Sequence, residues 1–102
     1  MEFEMTPEDL SCSWEEDGEL KVEELDKCIL SKGAWVTILY LYRERKGDGS
    51  WTPEKVRIQR YKKQHGKYSN QSKFNISSAK QAKKIVDQLQ TWFKDEFAEM
   101  DA

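Results

Sequence analysis

Residues 55–93 read KVRIQRYKKQHGKYSNQSKFNISSAKQAKKIVDQLQTWF, a basic β-hairpin running into an amphipathic helix. Strand alternation over residues 55–63 puts Lys55, Arg57, Gln59, Tyr61 and Lys63 on one face and Val56 and Ile58 on the other. A pleated face of cations and aromatics suits a nucleic-acid strand, because phosphates need Lys and Arg charge and unstacked bases need a flat ring to lie on. The same composition also serves a solvated sheet face, where Lys and Arg blunt an edge against unwanted pairing.

Working downstream, His65-Gly66 is a turn signal, residues 69–72 read as a polar loop, and residues 73–77 as a short strand. That strand is expected to turn Phe74 and Ile76 inward and Lys73 and Asn75 outward. Ser78 followed three residues later by Gln81 has the form of a capping box, which satisfies orphan amides at a helix start. Ala82, Ile85, Val86, Leu89, Trp92, Phe93, Phe97 and Met100 then follow helical spacing over about five turns. This apolar stripe is wide for one sheet face, so Ile85, Leu89, Trp92 and Phe93 are candidates for a subunit interface. The competing reading has the sheet cover the whole stripe.

Working upstream, residues 34–45 are rich in Val, Ile, Tyr, Trp and Thr, and both faces are apolar, the pattern of a central strand. Trp35, Thr37, Leu39 and Leu41 form one row and Val36, Ile38, Tyr40 and Tyr42 the other, and one of the two must meet a partner subunit or a ligand. Lys46-Gly47-Asp48-Gly49 supplies turn residues and Pro53 precedes the next strand. Residues 20–32 suit a strand or a short helix; periodicity does not decide, and Gly33 ends the element either way. Residues 1–19 are acidic and interrupted by Pro7 and Gly18, which favours a flexible tail, with Phe3, Leu10 and Trp14 as its means of docking. The expected fold is therefore α+β: a four-stranded antiparallel meander followed by a long C-terminal helix (ββββα), dimeric, with a tail over 1–19 and a sheet-plus-helix domain over 20–102.

A chain of 102 residues supports one small core. Its net charge of −2 conceals a polarity: residues 1–30 carry eleven acids and two bases, residues 43–84 thirteen bases and three acids, or −9 against +10. An acidic arm of residues 1–24 folding over the basic sheet and competing with nucleic acid is one consequence; a solubilising tail is the other. Two distant cysteines, Cys12 and Cys28, imply no disulfide framework, and without a leader the chain reads as cytoplasmic, or nucleoid-associated in a bacterium. No apolar run approaches the roughly 20 residues that span a bilayer. One His and two unclustered thiols fall short of a zinc site, and there is no Gly-rich phosphate loop, nucleophile elbow or paired carboxylate. No metal, cofactor or small-molecule substrate is expected, and the chain reads as a non-enzyme.

Val56-Arg57-Ile58-Gln59-Arg60-Tyr61, His65-Gly66-Lys67-Tyr68, Lys73-Phe74-Asn75-Ile76-Ser77 and the helix from Ala79 together resemble the transcriptional positive cofactor four proteins, element by element, over about residues 55–93. Whirly and purine-rich-element-binding proteins are related possibilities, with similar sheets and the same ligand class. The chain departs from that pattern in its acidic leading segment, in the link at 69–72, and in a longer, more hydrophobic strand at 34–45. The resemblance implies a homodimeric single-stranded-DNA-binding protein, possible RNA binding included, acting in transcription regulation or nucleic-acid maintenance. Carried over by position, it assigns the strand-binding face to Arg57, Gln59, Tyr61 and Lys63, with Lys67, Tyr68 and Lys73. Chemistry adds Lys55 and Asn75: cations for phosphates, Tyr61 and Tyr68 for stacking, Gln59 and Asn75 for base edges or sugar. Arg60 and Lys62 lie in the opposite register and would join this surface only through a bulge near Tyr61. The rival reading is a protein-interaction module whose basic aromatic sheet binds an acidic protein partner, since Tyr, Trp and Arg also favour protein interfaces.

Overall fold

The computed structural model of the chain describes residues 5–101. Five antiparallel strands follow one another across a single curled sheet in the order β1-β2-β3-β4-β5: β1 (Trp14–Glu16), β2 (Glu19–Ser31), β3 (Trp35–Glu44), β4 (Lys55–Gln64) and β5 (Lys67–Ile76). Two helices complete the chain, α1 (Ala79–Trp92) and α2 (Lys94–Met100). The α+β meander-then-helix expectation stands, with five strands in place of four.

Two tight turns set the registers. Asp17 and Gly18 (φ 52° and 78°) join β1 to β2, and His65 and Gly66 (φ 53° and 75°) join β4 to β5. Positive φ at both central residues matches the twist of the flanking strands, and glycine at the second position adopts it without strain. Because the β4–β5 turn uses only two residues, the ladder starts at once, with Gln64 opposite Lys67 and Lys63 opposite Tyr68. Residues 69–72, expected as a loop, are therefore part of β5. Their backbone is satisfied by the ladder whatever the side chains are. The irregularity is one bulge, where Arg60 faces Ser72 and Tyr61 faces Asn70, leaving Gln71 as the extra residue.

Bulges also explain why residues 20–32 had no decisive period. Glu24 pairs with Tyr42 but Asp26 with Leu41, and Ile29 pairs with Ile38 but Ser31 with Thr37, so Leu25 and Leu30 are extra residues that reset the alternation. Both are exposed.

Directly opposed residues share a face of the sheet. Val36, Ile38, Tyr40 and Tyr42 oppose Tyr61, Gln59, Arg57 and Lys55, and so form one face, called here the tyrosine face. Trp35, Thr37, Leu39 and Leu41 oppose Lys62, Arg60, Ile58 and Val56 on the other, the helix face. The two β3 rows expected from the sequence are present, but the dense core lies on the tyrosine face, where Val36, Ile38 and Tyr40 are fully buried. Phe74, expected inward, is 57 % exposed on the helix face, whereas its neighbour Ile76 is buried.

What buries the tyrosine face is the N-terminal segment. Leu10 and Cys12 belong to the core cluster with Val36, Ile38, Tyr40, Tyr42 and Tyr61, and Met5 packs against its margin. The tail expected over residues 1–19 thus contains a docked strap, a short 3-10 turn (Pro7–Asp9) and β1. Phe3, one of the proposed docking groups, lies outside the described residues.

At the helix start Ser78 Oγ accepts from the Gln81 amide at 3.1 Å, as the capping signature requires. Gln81 Oε1 reaches one residue further back than in a capping box and accepts from the Ser77 amide at 2.8 Å. The first turn of α1 lines a cleft with Ile76, Val56 and Leu41 on the helix face. Beyond it the helical run breaks at Phe93 (φ −112°, ψ 27°), and no residue of α1 or α2 is buried. Among the described residues no helix is long and apolar enough to cross a membrane.

Candidate nucleic-acid interface

β4 and β5 carry the sequence-expected site, and their pairing divides it. Arg57 faces Asn75, Gln59 faces Lys73, Tyr61 faces Asn70 and Lys63 faces Tyr68, so all eight share the tyrosine face. Lys63, Asn70, Lys73 and Asn75 are exposed there, and Arg57 and Tyr68 are half-buried. They form a strip along β5, interleaving cations with amides and one phenol. Lys67 is exposed too but, opposite Gln64, falls on the helix face and not with the expected row. Arg57 is held in place: its guanidinium lies 4.5 Å from the Tyr42 ring, and its Nε donates to Asn75 Oδ1 at 2.9 Å. Lys63 sits at the rim, 6.0 Å from the Tyr68 ring.

The middle of the expected row is not open. Gln59 is 7 % exposed and Tyr61 5 %, and Tyr61 shares the core cluster with Leu10 and Cys12 of the strap. Tyr61 cannot stack on a base in this conformation; its hydroxyl pairs instead with that of Tyr40 at 2.8 Å. Lys55, at the far end, is half-buried and paired with Glu44 at 3.2 Å. The expectation of one continuous cationic surface from Lys55 to Lys63 is corrected to an open strip flanking a covered centre. The physical reason is the apolar β3 row beside it: Val36, Ile38, Tyr40 and Tyr42 need a cover, and the strap supplies Leu10 and Cys12.

Desolvation governs the chemistry beneath the strap. Burial pushes the Cys12 thiol up to about 11, with Glu24 adding to the rise. The Tyr40 and Tyr61 hydroxyls are likewise raised, chiefly by burial, so both stay neutral at physiological pH. Gln59 Oε1 and Glu24 Oε1 are buried with no hydrogen-bond partner among the described residues.

Arg60 and Lys62 do not join the strip, because the bulge near Tyr61 lies in β5 and leaves the alternation of β4 intact. They flank Trp35 on the helix face, at 4.5 and 5.3 Å from its ring. At the other end of β3, Trp51 is contacted by Arg43 and Arg45 at 4.2 and 4.1 Å. Sequence reasoning missed both groups. Counting the hairpin register would have found the first, since Trp35 opposes Lys62 directly. Asn70 was missed because its segment read as a loop.

The expected interface residues of the helix are together and open. Leu89, Trp92 and Phe93 are 39 %, 69 % and 45 % exposed, and Ile85 is half-buried. A groove of about 390 Å³ runs beside Gln81, Ile85, Leu89 and Trp92. On the helix face of the sheet, Cys28, Leu39, Leu41 and Val56 line a smaller cleft of about 150 Å³. Compared with protein-family models, curated proteins and solved structures, the chain matches none of them.

Proposed function

We propose that the protein binds single-stranded nucleic acid along the β4–β5 half of its tyrosine face, without catalysis, as a homodimer joined through its helices. The observation that carries this reading is the exposed strip of Lys63, Asn70, Lys73 and Asn75 beside Tyr68 and Arg57. Lysines spaced along this strip give phosphate contacts, the amides offer hydrogen bonds to bases or sugar, and Tyr68 offers a stacking ring. Transcription regulation or nucleic-acid maintenance is the setting that the resemblance to positive cofactor four proteins suggests.

The dimer reading has separate support. The radius of gyration is 16.4 Å, whereas about 13 Å is usual for a compact chain of this length. That excess reflects helices that find no cover on their own sheet. A second copy is the suitable cover, because each chain offers both an apolar helix stripe and the apolar helix face around Leu39, Ile58 and Phe74. A closed two-fold arrangement buries both kinds of surface at once.

The test is titration of a labelled poly-pyrimidine strand against the wild type and a Lys63→Ala, Lys73→Ala double variant over a range of salt. Expected is a wild-type affinity falling with log salt at about 0.7 per phosphate neutralised, and a slope shallower by about 1.4 in the variant. Equal, weak, salt-insensitive binding by both would refute it. That result would favour the protein-interaction reading, for which exposed Trp35 and Phe74 on the helix face are the supporting observation.

A further inference from the structure

We infer that residues 5–13 are a displaceable strap latched by Lys27, and that a nucleic-acid strand binds fully by lifting it and reading Gln59 and Tyr61 in the closed centre of the face. The inference rests on the proposed nucleic-acid reading and adds to it the occluded half of the site and the element that controls access.

The strap is attached differently from the strands. Apart from the 3-10 turn, residues 5–13 carry no regular secondary structure and no strand pairing to the sheet. Their main polar anchor is one ammonium: Lys27 Nζ donates to Glu8 O at 2.7 Å and Leu10 O at 2.6 Å, with Pro7 O further off at 3.5 Å. Two outlying contacts assist it, an exposed Lys32–Glu8 ion pair at 2.7 Å and the Glu24 amide donating to Ser13 Oγ at 2.9 Å. Exposed pairs of that kind contribute little. The deeply buried apolar contribution is confined to Leu10 and Cys12.

The closed centre of the face holds polar groups beside the apolar β3 row. Gln59 is more than nine-tenths buried, yet among the described residues its Oε1 has no partner, and neither has the buried Oε1 of half-buried Glu24. Buried polar groups in folded proteins are nearly always paired, so an oxygen without a protein partner is open to a hydrogen bond from water or from a bound ligand. Gln59 is directly opposite exposed Lys73, Arg57 opposite Asn75, and Tyr61 opposite Asn70. Gln59 and Tyr61 therefore continue the open strip across to β4 beside Arg57, with amide and phenol groups that suit bases. The strap's own Glu8 and Asp9 are acidic, so a polyanion that displaces it replaces like with like in charge.

Cys12 reports the strap's position, because it is buried in the core cluster while Cys28 is exposed. In a Cys28→Ser background, the rate at which Cys12 reacts with a small aromatic disulfide reagent is measured with and without a poly-pyrimidine 20-mer, alongside strand affinity. Expected is slow labelling of the free protein and a rise of roughly tenfold or more at saturating strand. A Lys27→Met variant is expected to label faster without strand, also by about tenfold, and to bind the strand severalfold tighter, since the latch's charge-assisted bonds are gone. Strand binding that leaves Cys12 labelling unchanged or slower would overturn the strap while leaving the open-strip reading in place. Faster labelling of the Lys27→Met variant with unaltered affinity would also overturn it. Failure of both proteins to bind strand would remove the nucleic-acid reading itself, and the strap's competitive role with it.

Discussion

Tyr61→Phe tests the covered centre of the tyrosine face by removing one oxygen atom. The Tyr40 and Tyr61 hydroxyls lie 2.8 Å apart, on side chains 0 % and 5 % exposed, and among the described residues each is the other's only side-chain hydrogen-bond partner. Deleting the Tyr61 hydroxyl leaves that of Tyr40 buried and unpaired, a cost of about 1–3 kcal/mol. For a chain of this size each kcal/mol lowers Tm by roughly 4–8 °C, so the variant should melt visibly earlier. Tyr40→Phe should cost a similar amount for the same reason. The double variant, with neither hydroxyl present, should be more stable than the sum of the two losses implies, with a coupling of about 1 kcal/mol or more. Urea unfolding followed by near-ultraviolet circular dichroism measures all four proteins, at one fixed protein concentration, so that any self-association contributes equally to each. A single-variant loss below about 0.5 kcal/mol, or additive losses in the double variant, would refute the pairing and the burial assigned to Tyr61.

Leu89→Glu with Trp92→Glu should convert the protein to monomers in sedimentation velocity while preserving its far-ultraviolet spectrum, because both side chains are exposed in the single chain; an unchanged sedimentation coefficient would refute the helix-mediated dimer. Ser78→Ala removes the oxygen that accepts from the Gln81 amide and should lower stability by about 1 kcal/mol in urea unfolding. The thiol of Cys12 and the phenols of Tyr40 and Tyr61 hold their protons more tightly folded than unfolded, so their contribution is complete below the ordinary values of 9.0 and 10.0 and is lost as pH rises through and beyond them. Unfolding free energy measured between pH 8 and pH 11 should therefore fall towards the alkaline end, more gently in a Cys12→Ala variant.

Local features were legible where chemistry acts over a few residues. The His65-Gly66 turn, the Ser78–Gln81 cap and the two rows of β3 all follow from spacing and from which residues tolerate positive φ or accept an amide proton. The cationic row of β4 was legible too, as a row. Bulges were not: the extra residues Leu25, Leu30 and Gln71 arise from pairing with another strand, and they hid β2 and the first half of β5 from any periodicity argument. The break at Phe93 likewise has no Pro or Gly to announce it.

By itself, the order of turn, strand and cap signals determined an antiparallel meander followed by a helix, and the charge distribution determined which strands are basic. Which face of that sheet is closed was decided only in three dimensions. The apolar row Val36, Ile38, Tyr40 and Tyr42 shares its face with Gln59 and Tyr61 through the β3–β4 register, so covering the one necessarily covers the other. The cover comes from Leu10 and Cys12, residues in an acidic stretch whose composition suggests a tail. Alternation along a strand says which side chains travel together; it carries no information about what will lie on top of them.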